Sequence, residues 1–216
     1  FEYLKEAILA GYDMVHFDGS KLSLEENIKI SKEVVKIAKK RGVVVEGEVG
    51  KIGTDASRVY KEKFEIREED LTNPKEAKEY VRKTRLRQGF GGQAGVDVLA
   101  VSVGTFHGVD VTGVSPHIKI ERLREIKDSV DMPMVLHGGS GTPEEDIKEA
   151  IRLGVVKINI NSEIRLAFTS NLRKALEINS PAGGETTTYK YLQEAINSGQ
   201  AVVEANIKLF GSDSKA

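Results

Sequence analysis

Residues 132–160 read MPMVLHGGSGTPEEDIKEAIRLGVVKINI. Two short, β-rich apolar runs, Met132–His137 and Val155–Ile160, flank a stretch that opens on glycines and continues as a helix. Thr142-Pro143 places a cap residue before a first-turn proline, with Glu145 spaced to close a capping box. Strand, glycine loop, helix and strand in one short stretch form the repeating unit of a parallel α/β sheet.

The same alternation continues outward. Asp13–Phe17 (DMVHF), Val43–Glu48 (VVVEGE) and Val96–Val103 (VDVLAVSV) are three further strand candidates. Near-continuous apolar runs of this kind fit strands covered on both faces. Ser23 with Glu26 is a capping box, and the helix after it carries Ile30, Val34, Ile37 and Ala38 on one stripe before stopping at Gly42. Asn73-Pro74 with Glu76 repeats the cap signal, and two tail helices over roughly 163–178 and 189–210 flank the linker 179–184. Five strand–helix units result. The predicted fold is α/β: a (β/α)8 TIM barrel of which this chain carries the last five units, since closure needs eight strands and roughly 250 residues. The chain opens at Phe1 in mid-helix, Tyr3-Leu4 and Ala7-Ile8 carrying helical spacing up to Gly11, which predicts an upstream portion.

Composition excludes several classes. With 216 residues, the chain is read as a single partial domain over 1–216. The 32 Lys+Arg nearly cancel the 33 Asp+Glu, which speaks against a nucleic-acid partner. No apolar run approaches the ~20 residues that cross a bilayer, and no signal pattern opens the chain, so no membrane partner and a cytoplasmic location are predicted. Zero cysteines exclude disulfides, a thiol nucleophile and a thiolate metal site. Residues 85–94 (RLRQGFGGQA) have no place in the pattern, because removing them leaves a normal helix-to-strand join. Glycine and arginine there suggest a phosphate cradle, but the segment precedes a strand and so lies on the face where barrels keep stability rather than chemistry. A surface insertion is predicted.

Barrel chemistry sits in the loops after the strands. Those loops begin Asp18-Gly19-Ser20, Glu48-Val49-Gly50, Gly104-Thr105-Phe106-His107-Gly108, His137-Gly138-Gly139-Ser140-Gly141 and Asn159-Ile160-Asn161-Ser162. Two of the chain's four histidines, His107 and His137, close consecutive strands. With Glu48 they form a partial zinc-type set, imidazole nitrogen plus carboxylate oxygen. The other reading is a polar barrel mouth without metal. The last two glycine and asparagine loops open helices, where free N–H groups bind anions, so a phosphate ester is the predicted ligand. His16 reads as a satisfied core residue and His117 as a loop residue. Lys157 shares strand parity with Asn159 and points inward. A structural lysine paired with an interior carboxylate is preferred over a Schiff-base nucleophile.

Together these loops resemble the class II, zinc-dependent fructose-bisphosphate aldolase family, including its tagatose-bisphosphate branch. The matching stretches are HFDGSKLSLEENI, VVVEGEVG, VLAVSVGTFHG, MVLHGGSGTPEEDIKEAI, GVVKININSEIR and IKLFGS, in family order over almost the whole chain. The resemblance implies that His107 and His137 ligate Zn2+ and that Glu48, with Glu46 beside it, offers a carboxylate at an alternative zinc position. It implies that Gly108, Gly138, Gly139 and Ser140, with Asn159, Ile160, Asn161 and Ser162, hold dihydroxyacetone phosphate. Asp18 matches an acidic strand-end position. The implied reaction is reversible cleavage of fructose or tagatose 1,6-bisphosphate to dihydroxyacetone phosphate and glyceraldehyde 3-phosphate, in proteins that are commonly dimeric or tetrameric. The family's Asp-His pair, its acid/base and a further zinc ligand, is absent, since no Asp-His dipeptide occurs in this chain. The catalytic residue is expected upstream of Phe1, and the chain by itself is expected to be inactive. In the loop KIGTDASRVYKEKFEI, Asp55 is a weak match to the family's acidic residues, and Lys21 stands where histidine is common. The rival reading is a non-catalytic phosphosugar-binding barrel.

Overall fold

The computed structural model describes residues 1–52, 59–60, 66–86, 94–110, 117–178 and 187–215. Asp55, the interior of the 85–94 segment and the 179–184 linker fall outside the described residues. The elements are α1 (Glu2–Ala10), β1 (Met14–Phe17), α2 (Leu24–Ala38), β2 (Val44–Val49), β3 (Val59–Tyr60), α3 (Pro74–Thr84), β4 (Val98–Val101) and β5 (Val109–Asp110). They continue with α4 (Ile120–Ser129), β6 (Met134–Leu136), α5 (Glu144–Arg152), β7 (Val155–Ile158), α6 (Ser162–Ile178) and α7 (Thr188–Leu209).

The main sheet has five parallel strands in the order β1-β2-β4-β6-β7. Within this sheet the strands follow one another in chain order, with a helix between every pair, β3 and β5 belonging to a second sheet. An open doubly wound sheet reverses its order at a switch point, and no reversal occurs among these five strands, an order consistent with a barrel wall. A second, two-stranded parallel sheet, β3 with β5, ties the stretch after β2 to the stretch after β4. Two-residue strands carry no readable period, so sequence patterning does not find them.

Alternation along the strands divides the core. Val45, Leu99, Val101, Met134 and Leu136 are buried with Val34, Val35, Ala77, Leu123, Ile126 and Ile147 of the helices. The opposite parity holds only a small apolar group, Ala100 and Val135 with Ile52 and Val98. That face also carries His16, Glu46 and Glu48, and the site is built there.

The cap signals are realised unevenly. Ser23 and Glu26 form the full capping box on α2, and the short 3₁₀ turn after it ends at Gly42 with φ +71°. Asn73 caps α3 by accepting from Lys75 N at 2.9 Å, a residue short of Glu76. Thr142 is not a cap. Its N–H donates to Gly139 O at 3.2 Å in a tight turn, which moves the helix start to Glu144 with Pro143 at the cap position. At the two ends of the 85–94 segment, Leu86 N donates to Ala94 O at 2.7 Å.

Behind β2 lies a buried polar chain. Asn27 Nδ2 donates to Glu48 O at 2.8 Å, and Ser31 Oγ donates to Asn27 Oδ1 at 3.1 Å. Ser31 has one proton, so the 2.6 Å contact with Tyr80 has the phenol as donor. Burial, partly offset by the Ser31 bond, pushes the Tyr80 phenol up to about 12, which keeps that proton in place. Room for the phenol comes from Gly47, where a Cβ would stand 2.3 Å from Tyr80 Oη. Gly47→Ala is expected to cost about 1–3 kcal/mol by overpacking. Tyr80→Phe is expected to cost about 1 kcal/mol. In urea unfolding the double variant should lose measurably less than the sum, because removing Oη relieves the nearest clash.

Candidate functional site

The polar inner face starts from a strand pairing. His16 on β1 lies opposite Glu46 on β2, and both share the inward parity of Glu48. His16 Nε2 donates to Glu48 Oε2 at 3.1 Å and lies 3.9 Å from Glu46 Oε1. His137, following β6, contacts the same Glu46 Oε1 through Nε2 at 2.7 Å. From β7, Lys157 Nζ lies 2.9 Å from Glu46 Oε2. That contact is an ion pair off the axis of a hydrogen bond, and Oε2 has no hydrogen-bond partner among the described residues. Lys157 also donates to Asn159 Oδ1 at 2.8 Å. Four strands therefore converge on one carboxylate whose residue is 0% exposed.

Burial opposes ionisation of Glu46. The His137 hydrogen bond and Lys157 outweigh it and hold this carboxyl below its ordinary value. His16 is the mirror case: burial disfavours its cation, but the Glu48 hydrogen bond and the Glu46 and Glu48 charges raise its pKa. Asp18, more open, is held low despite some burial by the hydroxyl and N–H of Ser20. It caps its own turn and makes no bond to the carboxylate cluster.

Beside this cluster opens a cavity of about 250 Å³, lined by Phe106, His107, Gly108, Gly138, Ser140, Asn159, Asn161 and Ser162. Apart from Phe106, these are residues singled out from the sequence. Gly139 and Ile160 lie just behind the lining; a Cβ on Gly139 would meet Ile158 Cγ2 at 2.8 Å and Ile160 Cδ1 at 3.1 Å. Gly138 is required for two reasons. Its φ is +65°, and a Cβ would stand 2.4 Å from Phe106 O, so the backbones of the two loops can touch at this point only without a side chain. Ser162 is the first residue of α6, which directs the N-terminus of that helix at the cavity.

His107 and His137 come together with ring centroids 5.6 Å apart. Nitrogens about 2.0–2.1 Å from a shared Zn2+ fit that spacing. The tightest donor set among the described residues, however, is His16, Glu46 and His137, whose ligating atoms all lie within 4.8 Å of one another. Glu48 is engaged by His16, and the carboxylate touching His137 is Glu46. The chemistry of this group, imidazoles and carboxylates without thiols, fits a zinc-type ion. His16 is not the passive core residue its strand position suggests; its ring centroid lies 4.9 Å from that of His137. The signal available was parity, since His16 sits two residues before Asp18 on the strand and so faces the same way. Lys157 pairs with an interior carboxylate as its parity predicts. His117 is a surface residue, Nδ1 lying 3.0 Å from Asp146 Oδ2.

A parallel sheet with ionisable groups and loops opening into helices at its strand ends defines an α/β enzyme. The family described as fructose-bisphosphate aldolase class-II matches residues 1–215. The sulfofructosephosphate aldolase of Alkalicoccus urumqiensis is 34% identical over 98% of this chain and 67% of its own length. The fructose-bisphosphate aldolase of Streptococcus pneumoniae is 35% identical over 100% of this chain and 70% of its own. The YdjI aldolase of Escherichia coli K12 superposes with a TM-score of 0.75 at 29% identity, over 100% of this chain and 67% of that one. The chain belongs to the class II fructose-bisphosphate aldolase family, enzymes that are carbon–carbon lyases. Among the described residues no helix is long and apolar enough to cross a membrane.

Two outcomes test this geometry. Gly138→Ala should destabilise the fold by about 1–3 kcal/mol, read by urea unfolding. Glu46 is depressed when folded, so its contribution to stability is complete above the ordinary value of 4.5 and is lost as pH falls through the folded one. Urea unfolding from pH 7 downward should therefore show a shallower acid limb in Glu46→Gln than in the parent.

Proposed function

We propose that the protein is a zinc-dependent aldolase site acting on a ketose 1,6-bisphosphate, fructose or tagatose, with dihydroxyacetone phosphate and glyceraldehyde 3-phosphate as the cleavage products. The observation that carries this reading is the meeting of His107, the glycine loop after β6 and the asparagine loop after β7 in one cavity, with His137 beside it. The names of the two relatives, a fructose-bisphosphate aldolase and a sulfofructosephosphate aldolase, share a phosphorylated ketose.

In this reading the backbone of Gly108, Gly138 and Gly139 approaches the phosphate closely because no Cβ intervenes. Ser140, Asn159, Ile160, Asn161 and Ser162 complete the cradle, the last at a helix N-terminus whose dipole favours an anion. His107 and His137 hold the metal, with Glu48 available from the neighbouring strand. When bound, Zn2+ supplies Lewis-acid stabilisation of the negative charge that C3–C4 cleavage leaves on the dihydroxyacetone half. A carboxylic acid must exchange a proton with the C4 oxygen. No Asp-His dipeptide is present to supply it, so this 216-residue chain by itself binds but does not cleave. The five consecutive strands are read as the last five of a (β/α)8 barrel, residues 1–216 as one partial domain, and residues 85–94 as a surface insertion. The completed protein is read as a cytoplasmic homodimer or homotetramer.

The decisive assay is fructose 1,6-bisphosphate cleavage by this chain, with chelator and with zinc restored. The expected result is about one zinc bound per chain, dihydroxyacetone phosphate binding, and no cleavage until the upstream third of an aldolase is supplied. Chelator-sensitive cleavage by the chain alone would overturn the acid/base argument. Phosphosugar binding without zinc or turnover in the completed protein would instead identify a binding barrel.

A further inference from the structure

Lys157 touches two groups that the proposed reaction does not itself use through this lysine. Its ammonium lies 2.9 Å from Glu46 Oε2 and donates to Asn159 Oδ1 at 2.8 Å. An ammonium has donors only, so the Asn159 oxygen it bonds is fixed as an acceptor, and the Glu46 oxygen beside it is the ion-paired one. The consequence for Asn159 is an amide orientation: with Oδ1 taken, its NH2 end is the one turned to His137, 3.3 Å from Nε2 and 3.5 Å from Nδ1. The consequence for Glu46 is a carboxylate held ionised against Lys157, with Oε1 left to face His137 Nε2 at 2.7 Å.

A carboxylate only accepts, so the proton on the imidazole edge facing Glu46 belongs to Nε2. The Asn159 NH2 also only donates. It can therefore use no acceptor on that ring except Nδ1, and at 3.5 Å it does so beyond the usual N–H···N range. The Nδ1 lone pair is thus the one left for a stronger electrophile. We infer that Lys157 is a positioning residue: through Glu46 and Asn159 it sets the tautomer of His137 and so selects Nδ1 as the nitrogen offered to a metal. The inference rests on the reading of His137 as a zinc ligand. It also leaves Lys157 no role as a Schiff-base nucleophile, because its nitrogen is held between the Glu46 carboxylate and the Asn159 amide oxygen.

The test begins without metal. The metal-free chain is labelled with 15N-histidine and examined at about pH 8, above the ordinary imidazole range. The His137 signals are assigned by their loss in His137→Gln. In the parent chain the proton should reside on Nε2, and a proton found on Nδ1 overturns the inference with no variant needed. Lys157→Met should erode that preference and weaken zinc about 10–100-fold in chelator competition, the usual cost of losing an outer-shell partner. Lys157→Arg, which keeps the charge, should recover most of both. An unchanged tautomer together with unchanged zinc affinity in Lys157→Met also overturns it. Failure of the parent reading looks different: zinc added to the parent chain would leave the His137 signals where they were, whatever their tautomer. Borohydride with dihydroxyacetone phosphate should trap no adduct on Lys157.

Discussion

Glu46 carries a charge at a position with no access to water, in the second strand of an all-parallel sheet. A buried carboxylate survives ionised only if the interior supplies what water would have given. Here the supply comes from two other strands, an imidazole from the end of β6 and an ammonium from β7, with His16 of β1 nearby. The sheet must therefore curve enough to let β2 and β7 touch across its inner face, although β4 and β6 lie between them. The apolar content of that face is correspondingly small, and most of the hydrophobic burial lies on the helix side.

The cavity depends on a different constraint. Phosphate-sized anions are held best by backbone N–H groups, which require close approach without side chains and free N–H groups at helix starts. Gly138 and Ser162 meet those two requirements on successive loops. The ionic cluster and the glycine cavity meet at Asn159, which lines the cavity and also bonds the lysine of the cluster. A change in the charge cluster is therefore felt in the cavity through the orientation of one amide.

Support for the cluster comes from behind the sheet. Tyr80, Ser31 and Asn27 run from α3 through α2 to the carbonyl of Glu48, each buried and each bonded. Gly47, the residue between the two glutamates, is the point of closest approach. Inward carboxylates on either side of an outward glycine let the same three residues present charge to the site and a flat surface to the helices.

Periodicity and punctuation in the sequence determined the five strands, the intervening helices, the glycine loops and the cavity residues His107, Gly108, Gly138, Ser140, Asn159, Asn161 and Ser162. These are local properties: a run of apolar residues, a cap, a glycine before a helix. Motif resemblance added the family. What tertiary structure alone decided is which side chains meet across the inner face. Strand parity gives the direction of His16, Glu46 and Lys157, but not the curvature that brings residues of β1, β2 and β7 within hydrogen-bonding distance. For that reason His16 read as core and Glu46 as a bystander to Glu48. Thr142 does not cap because it lies inside a tight turn onto Gly139 O and the helix starts only at Glu144, which leaves its hydroxyl without a partner among the described residues. Local chemistry is written along the chain, whereas the partners of a buried charge are set by the shape of the whole sheet.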